Sequence, residues 1–247
     1  MIPLARAAAR KQDAAALLQR AFALRTLAEA FAYPDAGHVR RVRAMFARLA
    51  RPGAADPPLH RAIVRAERAW ANADDEPLRA EYARLFLGNA PCPLRETAYG
   101  DARRVAGRSA ELADIAGFYT AFGFAVSERE PDLPDHLCAE LEFCSVLLLK
   151  LAYGARGGWS AGGRIVAHAL RSFVQDHLGR WVRALGAELE RAGARAPYRE
   201  LARLLERIVA NEAKRLSAAP SPFAGRLPED FMQADEYRCP MASGLAA

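Results

Sequence analysis

Apolar residues recur along almost the whole chain at the three-to-four-residue spacing of an amphipathic helix, and no convincing stretch alternates with a period of two. Leu17, Leu18, Phe22, Leu24, Leu27 and Phe31 trace one face of a first helix, which Pro34 ends. The spacing predicts further helices at about 36–50, 58–73, 77–87, 101–122, 132–153, 161–178, 180–192 and 197–217. Between them stand breakers such as Arg51-Pro52-Gly53 and Asp56-Pro57-Pro58, a Pro-containing loop at 89–100, Gly123, and Glu130-Pro131-Asp132. β-Branched residues are sparse. The expectation is an all-α fold: a single compact helical domain of about nine to ten helices over residues 1–217, then an extended tail over 218–247. Phe223, Phe231 and Tyr237 are the residues that would tie part of that tail down, and no constant-period repeat suggests a solenoid.

A chain of 247 residues with 52% hydrophobic and 26% charged residues can bury a substantial core and does not read as disordered. Apolar runs such as Val146–Leu149 fall far short of the roughly 18–20 residues that a membrane-spanning helix needs. Met1–Lys11 is interrupted by Arg6, Arg10 and Lys11 and lacks the apolar core of a secretory signal, so a cytoplasmic protein is expected. Cys92, Cys138, Cys144 and Cys239 are too few and too irregularly spaced for a disulfide framework, so reduced thiols are expected. The net charge of +6 permits a nucleic-acid partner, but the arginines are spread over nearly every helix with no basic block longer than a pair such as Arg40-Arg41. No nucleic-acid partner is therefore expected. Nor is there a phosphate-binding GxxxxGK[ST] loop, a nucleophile elbow, a CxxC pair or an HExxH motif.

The most informative local pattern starts at Asp132, which reads as an N-cap followed by Pro134 in the first turn and Asp135 at the positive helix end. On that helix His136 and Glu140 fall among Leu137, Leu141, Cys144, Leu147, Leu148 and Leu151. Ionisable groups beside an apolar face need a partner. Three readings stay open: a structural His–Glu pair, a grip on a client, or a metal site using His136, Glu140 and Cys144. Between Glu128 and Glu142 six acids (Glu128, Glu130, Asp132, Asp135, Glu140, Glu142) face only Arg129, a local acidic patch able to attract an arginine-bearing peptide. Phe118, Tyr119 and Phe122 read as core aromatics.

Four segments in order resemble the TorD/DmsD/NarJ family of molybdoenzyme maturation chaperones. They are Tyr82-Ala-Arg-Leu85-Phe86, Pro91-Cys-Pro93-Leu-Arg-Glu96-Thr-Ala-Tyr99, the aromatic-Gly turn Phe118 to Phe124 with Pro134-Asp135-His136-Leu-Cys-Ala-Glu140-Leu-Glu-Phe143, and Phe173-Val-Gln-Asp176-His177-Leu-Gly-Arg-Trp181. A Glu often found four residues before the first motif's Tyr is Leu78 here, and the tail with Cys239-Pro240 has no counterpart. The resemblance implies a non-enzymatic chaperone, monomer or homodimer, with no cofactor or metal of its own. Its partner would be the precursor of a molybdenum enzyme's catalytic subunit, held through its twin-arginine leader or another segment while the molybdenum cofactor is inserted and export is held back. The positions that match the motifs, Tyr82, Phe86, Glu96, Tyr99, Phe122, Asp135, His136, Glu140, Asp176, His177 and Trp181, are the expected client-binding residues, with Tyr99, Asp135, His136 and Glu140 along a groove. The rival reading is a metal-dependent hydrolase or other metal-binding helical protein using His136 and Glu140.

Overall fold

The computed structural model describes residues 2–51, 56–100, 108–125, 133–157 and 159–227. The described residues are mostly helical: α1 (Ile2–Phe31), α2 (Ala36–Leu49), α3 (Pro57–Ala71), α4 (Asp75–Phe86), α5 (Arg108–Ala121), α6 (Leu137–Gly157), α7 (Ser160–Phe173), α8 (Gly179–Arg191) and α9 (Ala196–Leu216). Local signals set several ends. Asp35 accepts from the His38 N–H at the start of α2, and Asp56 accepts from Leu59 with Pro57 in the first turn of α3. Ser217 closes α9 in the left-handed conformation, φ 52°.

Two boundaries differ from expectation. Helices expected over 161–178 and 180–192 form one rod, because Val174–Leu178 makes a π-helical turn that carries α7 into α8. The described residues thus form eight rods rather than nine to ten. The helix expected from Asp132 starts at Leu137, since the chain before it pairs with the 94–96 segment: Glu96 N–H donates to the Asp135 carbonyl and Leu137 N–H to the Leu94 carbonyl, both at 2.9 Å. Arg95 and His136 are the antiparallel partners of that bridge. Asp132 and the acids Glu128 and Glu130 lie outside the described residues, as do 101–107, the first part of the helix expected at 101–122.

α6 lies along α1, with α7 beside it, and α9 packs on α3 and α8. Ser145 and Cys138 of α6 donate to the Ala21 and Ala28 carbonyls of α1, at 2.9 and 3.2 Å, which joins the central pair. Leu137, Leu141, Cys144, Leu147 and Leu148 are all fully buried, as the apolar face of that helix requires. Phe143 sits at the middle of an aromatic cluster with Phe118, Tyr119, Phe122, Phe124 and Phe173. Beyond α9, Phe223 is buried and Gly225–Arg226 pairs antiparallel with Tyr99–Gly100. The described part of the tail therefore packs on the domain; residues 228–247, with Phe231, Tyr237 and Cys239, lie outside the description. Cys92, Cys138 and Cys144 are free thiols, and no helix among the described residues is long and apolar enough to cross a membrane.

Candidate functional site

The 94–96/135–137 bridge has two faces. Successive residues of extended chain point to opposite sides. Arg95 and His136 line an open cleft, while the adjoining Glu96 and Asp135 are fully buried.

The cleft has a volume of about 1090 Å³ and is walled by α1, α2, α4, the bridge and the start of α6. Tyr82, Phe86, Leu94 and Phe124 give it apolar surface, and Tyr33 and Leu87, each about half exposed, stand at its edge. Tyr33 and Tyr82 meet edge-to-face at 5.5 Å, as do Tyr82 and Phe86 at 5.0 Å. On one wall Arg25 bridges two helices, reaching Glu29 at 2.6 Å and Glu142 at 2.7 Å, with its own side chain 46% exposed. Glu29 also faces His38 at 3.4 Å.

Behind the bridge lies a buried polar cluster. Asp135 Oδ2 accepts from the Thr97 hydroxyl at 2.6 Å and from its N–H at 3.2 Å, holding the motif's Thr in place. Glu96 Oε2 lies 3.2 Å from His177 Nδ1, and Asp114 Oδ2 lies 3.1 Å from His177 Nε2. Trp181 donates its indole N–H to Glu140 Oε2 at 3.1 Å, and Tyr99 stacks on that indole at 5.4 Å while donating to the Pro93 carbonyl. Glu96 Oε1, Asp135 Oδ1 and Glu140 Oε1 are buried without a hydrogen-bond partner.

Burial governs the charge states there. It pushes the Glu96 carboxyl up to about 7, with His177 pulling the other way and Glu111 adding to the rise. Glu140 is raised well above the usual carboxylate range, by burial and then by the nearby Glu96 charge. For His177, burial works to lower the pKa, but the Glu96 hydrogen bond with the Glu96, Asp114 and Glu111 charges outweighs it, and the imidazole is raised.

The residues singled out in the sequence divide accordingly. Tyr82, Phe86 and His136 line the cleft. Glu96, Tyr99, Asp135, Glu140, His177 and Trp181 belong to the buried cluster, so Tyr99, Asp135 and Glu140 do not lie along the open groove expected of them. For Asp135 the physical reason is the pairing with the 94–96 segment, which turns alternate residues inward, while Glu140 lies on the buried face of α6 and Tyr99 is stacked on Trp181. Phe122 packs half-buried on Phe143, and Asp176 is exposed on the π turn, apart from both regions. His136, Glu140 and Cys144 do not form a metal site: His136 lines the cleft, whereas Glu140 is fully buried against Trp181. Arg25, Glu29 and His38 in the cleft escaped the sequence reading, since an i,i+4 Arg–Glu pair on a helix looks like any solvated pair. Glu111 and Asp114, one turn apart on α5, escaped it too, although that spacing was a usable signal.

The "Nitrate reductase delta subunit" family model matches residues 52–187, a span that includes the bridge, the buried cluster and the cleft walls contributed by α4 and α6. The chain is 32% identical over 167 residues to the selenate reductase assembly chaperone protein of Thauera selenatis, covering 66% of this chain and 73% of that one. It is 29% identical over 194 residues to the chlorate reductase assembly chaperone protein of Ideonella dechloratans, covering 78% and 88%. Its fold is similar to the crystal structure of a redox enzyme maturation protein from Archaeoglobus fulgidus, with a TM-score of 0.50, 19% identity, and coverage of 77% of this chain and 93% of that one. These relatives are assembly chaperones rather than catalytic enzymes, which overturns the hydrolase reading of His136 and Glu140. The chain belongs to the nitrate reductase delta subunit family, the NarJ/TorD-type molybdoenzyme maturation chaperones.

Proposed function

We propose that this chaperone acts in the cytoplasm on the precursor of a DMSO-reductase-family molybdoenzyme, gripping an arginine-bearing segment such as its twin-arginine leader in the cleft between α1, α2, α4 and the bridge. Bound there, the precursor is kept unexported and open until its molybdenum cofactor is inserted. One observation carries this reading: Arg25 lies between the Glu29 and Glu142 carboxylates on the cleft wall, beside the aromatic surface of Tyr82 and Phe86. The wall already holds one guanidinium by charge-assisted bonds, and it has apolar surface next to it for the flanking residues of a peptide. His136 and Arg95 also line the cleft. Glu96, Tyr99, Asp135, Glu140, His177 and Trp181 serve this site as positioning residues, since they hold the inner face of the bridge.

Calorimetry of the full chain with a twin-arginine leader peptide of a DMSO-reductase-family precursor tests the reading. Micromolar or tighter binding is expected, weakened at least about tenfold by replacing both leader arginines with glutamine or by Glu29→Gln with Glu142→Gln. Equal affinity for the glutamine-substituted peptide and for the double variant would sink the role of these carboxylates.

A further inference from the structure

His177 is approached by carboxylates on both ring nitrogens. Glu96 Oε2 lies 3.2 Å and Glu111 Oε1 4.0 Å from Nδ1, and one ligand atom from each of the three residues falls within 4.8 Å of the others. Two atoms each about 2.1 Å from a shared ion are at most about 4.2 Å apart, and both distances from Nδ1 fall within that limit. On the far side of the ring, Asp114 Oδ2 lies 3.1 Å from Nε2. A carboxylate there holds the proton on Nε2, so that an ion displacing the Nδ1 proton would meet a lone pair directed to the side of Glu96 and Glu111, the arrangement that orients a metal-bound histidine.

A second observation is independent of this spacing. The Glu96 side chain is fully buried and its Oε1 has no hydrogen-bond partner. Glu140, outside the three, is likewise fully buried and leaves its own Oε1 without a partner, with Glu96 among the groups acting on it. Carboxylate oxygens that face each other in a dry interior need a proton or a cation between them. One imidazole and two carboxylates, all buried, form a nitrogen–oxygen donor set that zinc accepts, with a fourth position left for water.

We propose that Glu96, Glu111 and His177 hold one zinc ion, with Asp114 as the positioning residue that fixes the His177 tautomer. The ion ties the 94–99 segment to α5 and to the π turn at 174–178. The cleft wall formed by Arg95 and His136 is thereby anchored from behind. This site stands on its own geometry, whatever occupies the cleft.

The test uses the full chain, purified without a histidine tag, stripped with chelator and dialysed. Titration with zinc chloride by calorimetry is expected to show saturable binding of about one ion per chain and a raised thermal midpoint. Glu111→Gln is expected to weaken binding by at least tenfold, and Asp114→Asn, whose side chain is 64% exposed and whose change leaves the core intact, by about 10- to 100-fold. Circular dichroism establishes that each variant is folded. Cobalt substitution adds a spectroscopic readout: visible d–d bands without a thiolate charge-transfer band are expected of these ligands. Three results would overturn the site: no saturable zinc binding by the folded protein, binding unchanged in both variants, or a thiolate band placing the ion on a cysteine.

Discussion

Trp181 donates its indole N–H to Glu140 across the centre of the protein, 3.1 Å from Nε1 to Oε2, with both side chains fully buried. The bond joins α8 to the first turn of α6, directly behind the cleft wall. The other oxygen of Glu140 has no partner, so this position asks for one acceptor and one donor rather than for a carboxylate charge. Glu140→Gln supplies both, through its carbonyl toward Trp181 and its amide toward Glu96. It is expected to raise the urea midpoint at about pH 8. Glu140→Ala strands the indole N–H and leaves a void, at a cost of about 2–4 kcal/mol in the same measurement. Equal midpoints for the two variants would show that the bond contributes nothing.

The buried acids also fix how stability varies with pH. Burial raises Glu96 from an ordinary 4.5 to about 7 and lifts Glu140 in the same direction. Between those values the unfolded chain has released protons that the folded chain keeps, so stability falls as pH rises. His177, raised above its ordinary 6.5, adds to the same trend: its contribution is complete below 6.5 and is lost as pH climbs through the folded value. Each retained proton gives a slope of about 1.4 kcal/mol per pH unit. In chelator-treated protein the thermal midpoint is expected to drop between about pH 5 and pH 7.5, and Glu96→Gln with Glu140→Gln is expected to flatten the curve. A midpoint that climbs over that range contradicts the protonated interior.

The helical rods were legible because each buries an apolar stripe of the right period, and Asp35, Asp56 and Pro57 mark starts by local chemistry alone. The start of α6 was misplaced because its competitor is distant in sequence: the 94–96 segment takes the hydrogen bonds at 135–137. That same pairing decides which motif residues face the cleft and which face inward. Asp135 and His136 are neighbours in the chain, yet one holds Thr97 in the interior and the other lines the cleft. The helices expected at 161–178 and 180–192 leave Gly179 between them, whereas Gly179 marks a close approach within a continuous rod. Arg25, Glu29 and Glu142 could not be grouped from sequence, as only the packing of α1 on α6 brings them together.

At Gly179 an added Cβ would lie 2.3 Å from the Val174 carbonyl oxygen and 2.5 Å from the Pro220 ring. The π turn and the 218–227 segment thus both depend on the missing side chain. Arg180, next in sequence, has its guanidinium 4.2 Å from the centre of the Phe223 ring, which fixes that segment further. Gly179→Ala is expected to destabilise the fold by about 1–3 kcal/mol and to expose the segment after Ser217 to proteolysis. Phe223→Ala should open the same segment without disturbing the π turn. Limited digestion followed by mass measurement distinguishes them from the wild type, and identical digestion of all three would remove the role assigned to Gly179.

On the proposed reading, Arg25 decides whether the cleft acids are available to a client. It reaches Glu29 at 2.6 Å and Glu142 at 2.7 Å, but at 46% exposure the ion pairs are screened by water and worth little to stability, at most about 1 kcal/mol each. Removing it should therefore cost little folding free energy while leaving two carboxylates facing the cleft. A peptide arginine can then take both partners without displacing a resident one. Arg25→Gln is expected to bind an arginine-bearing leader several-fold more tightly than the wild type, with an affinity that falls more steeply as salt is added. Its melting temperature should move by only a few degrees. The opposite result has an equally definite meaning: if Arg25→Gln weakens the peptide, Arg25 contacts the client itself, and the carboxylates serve to orient it.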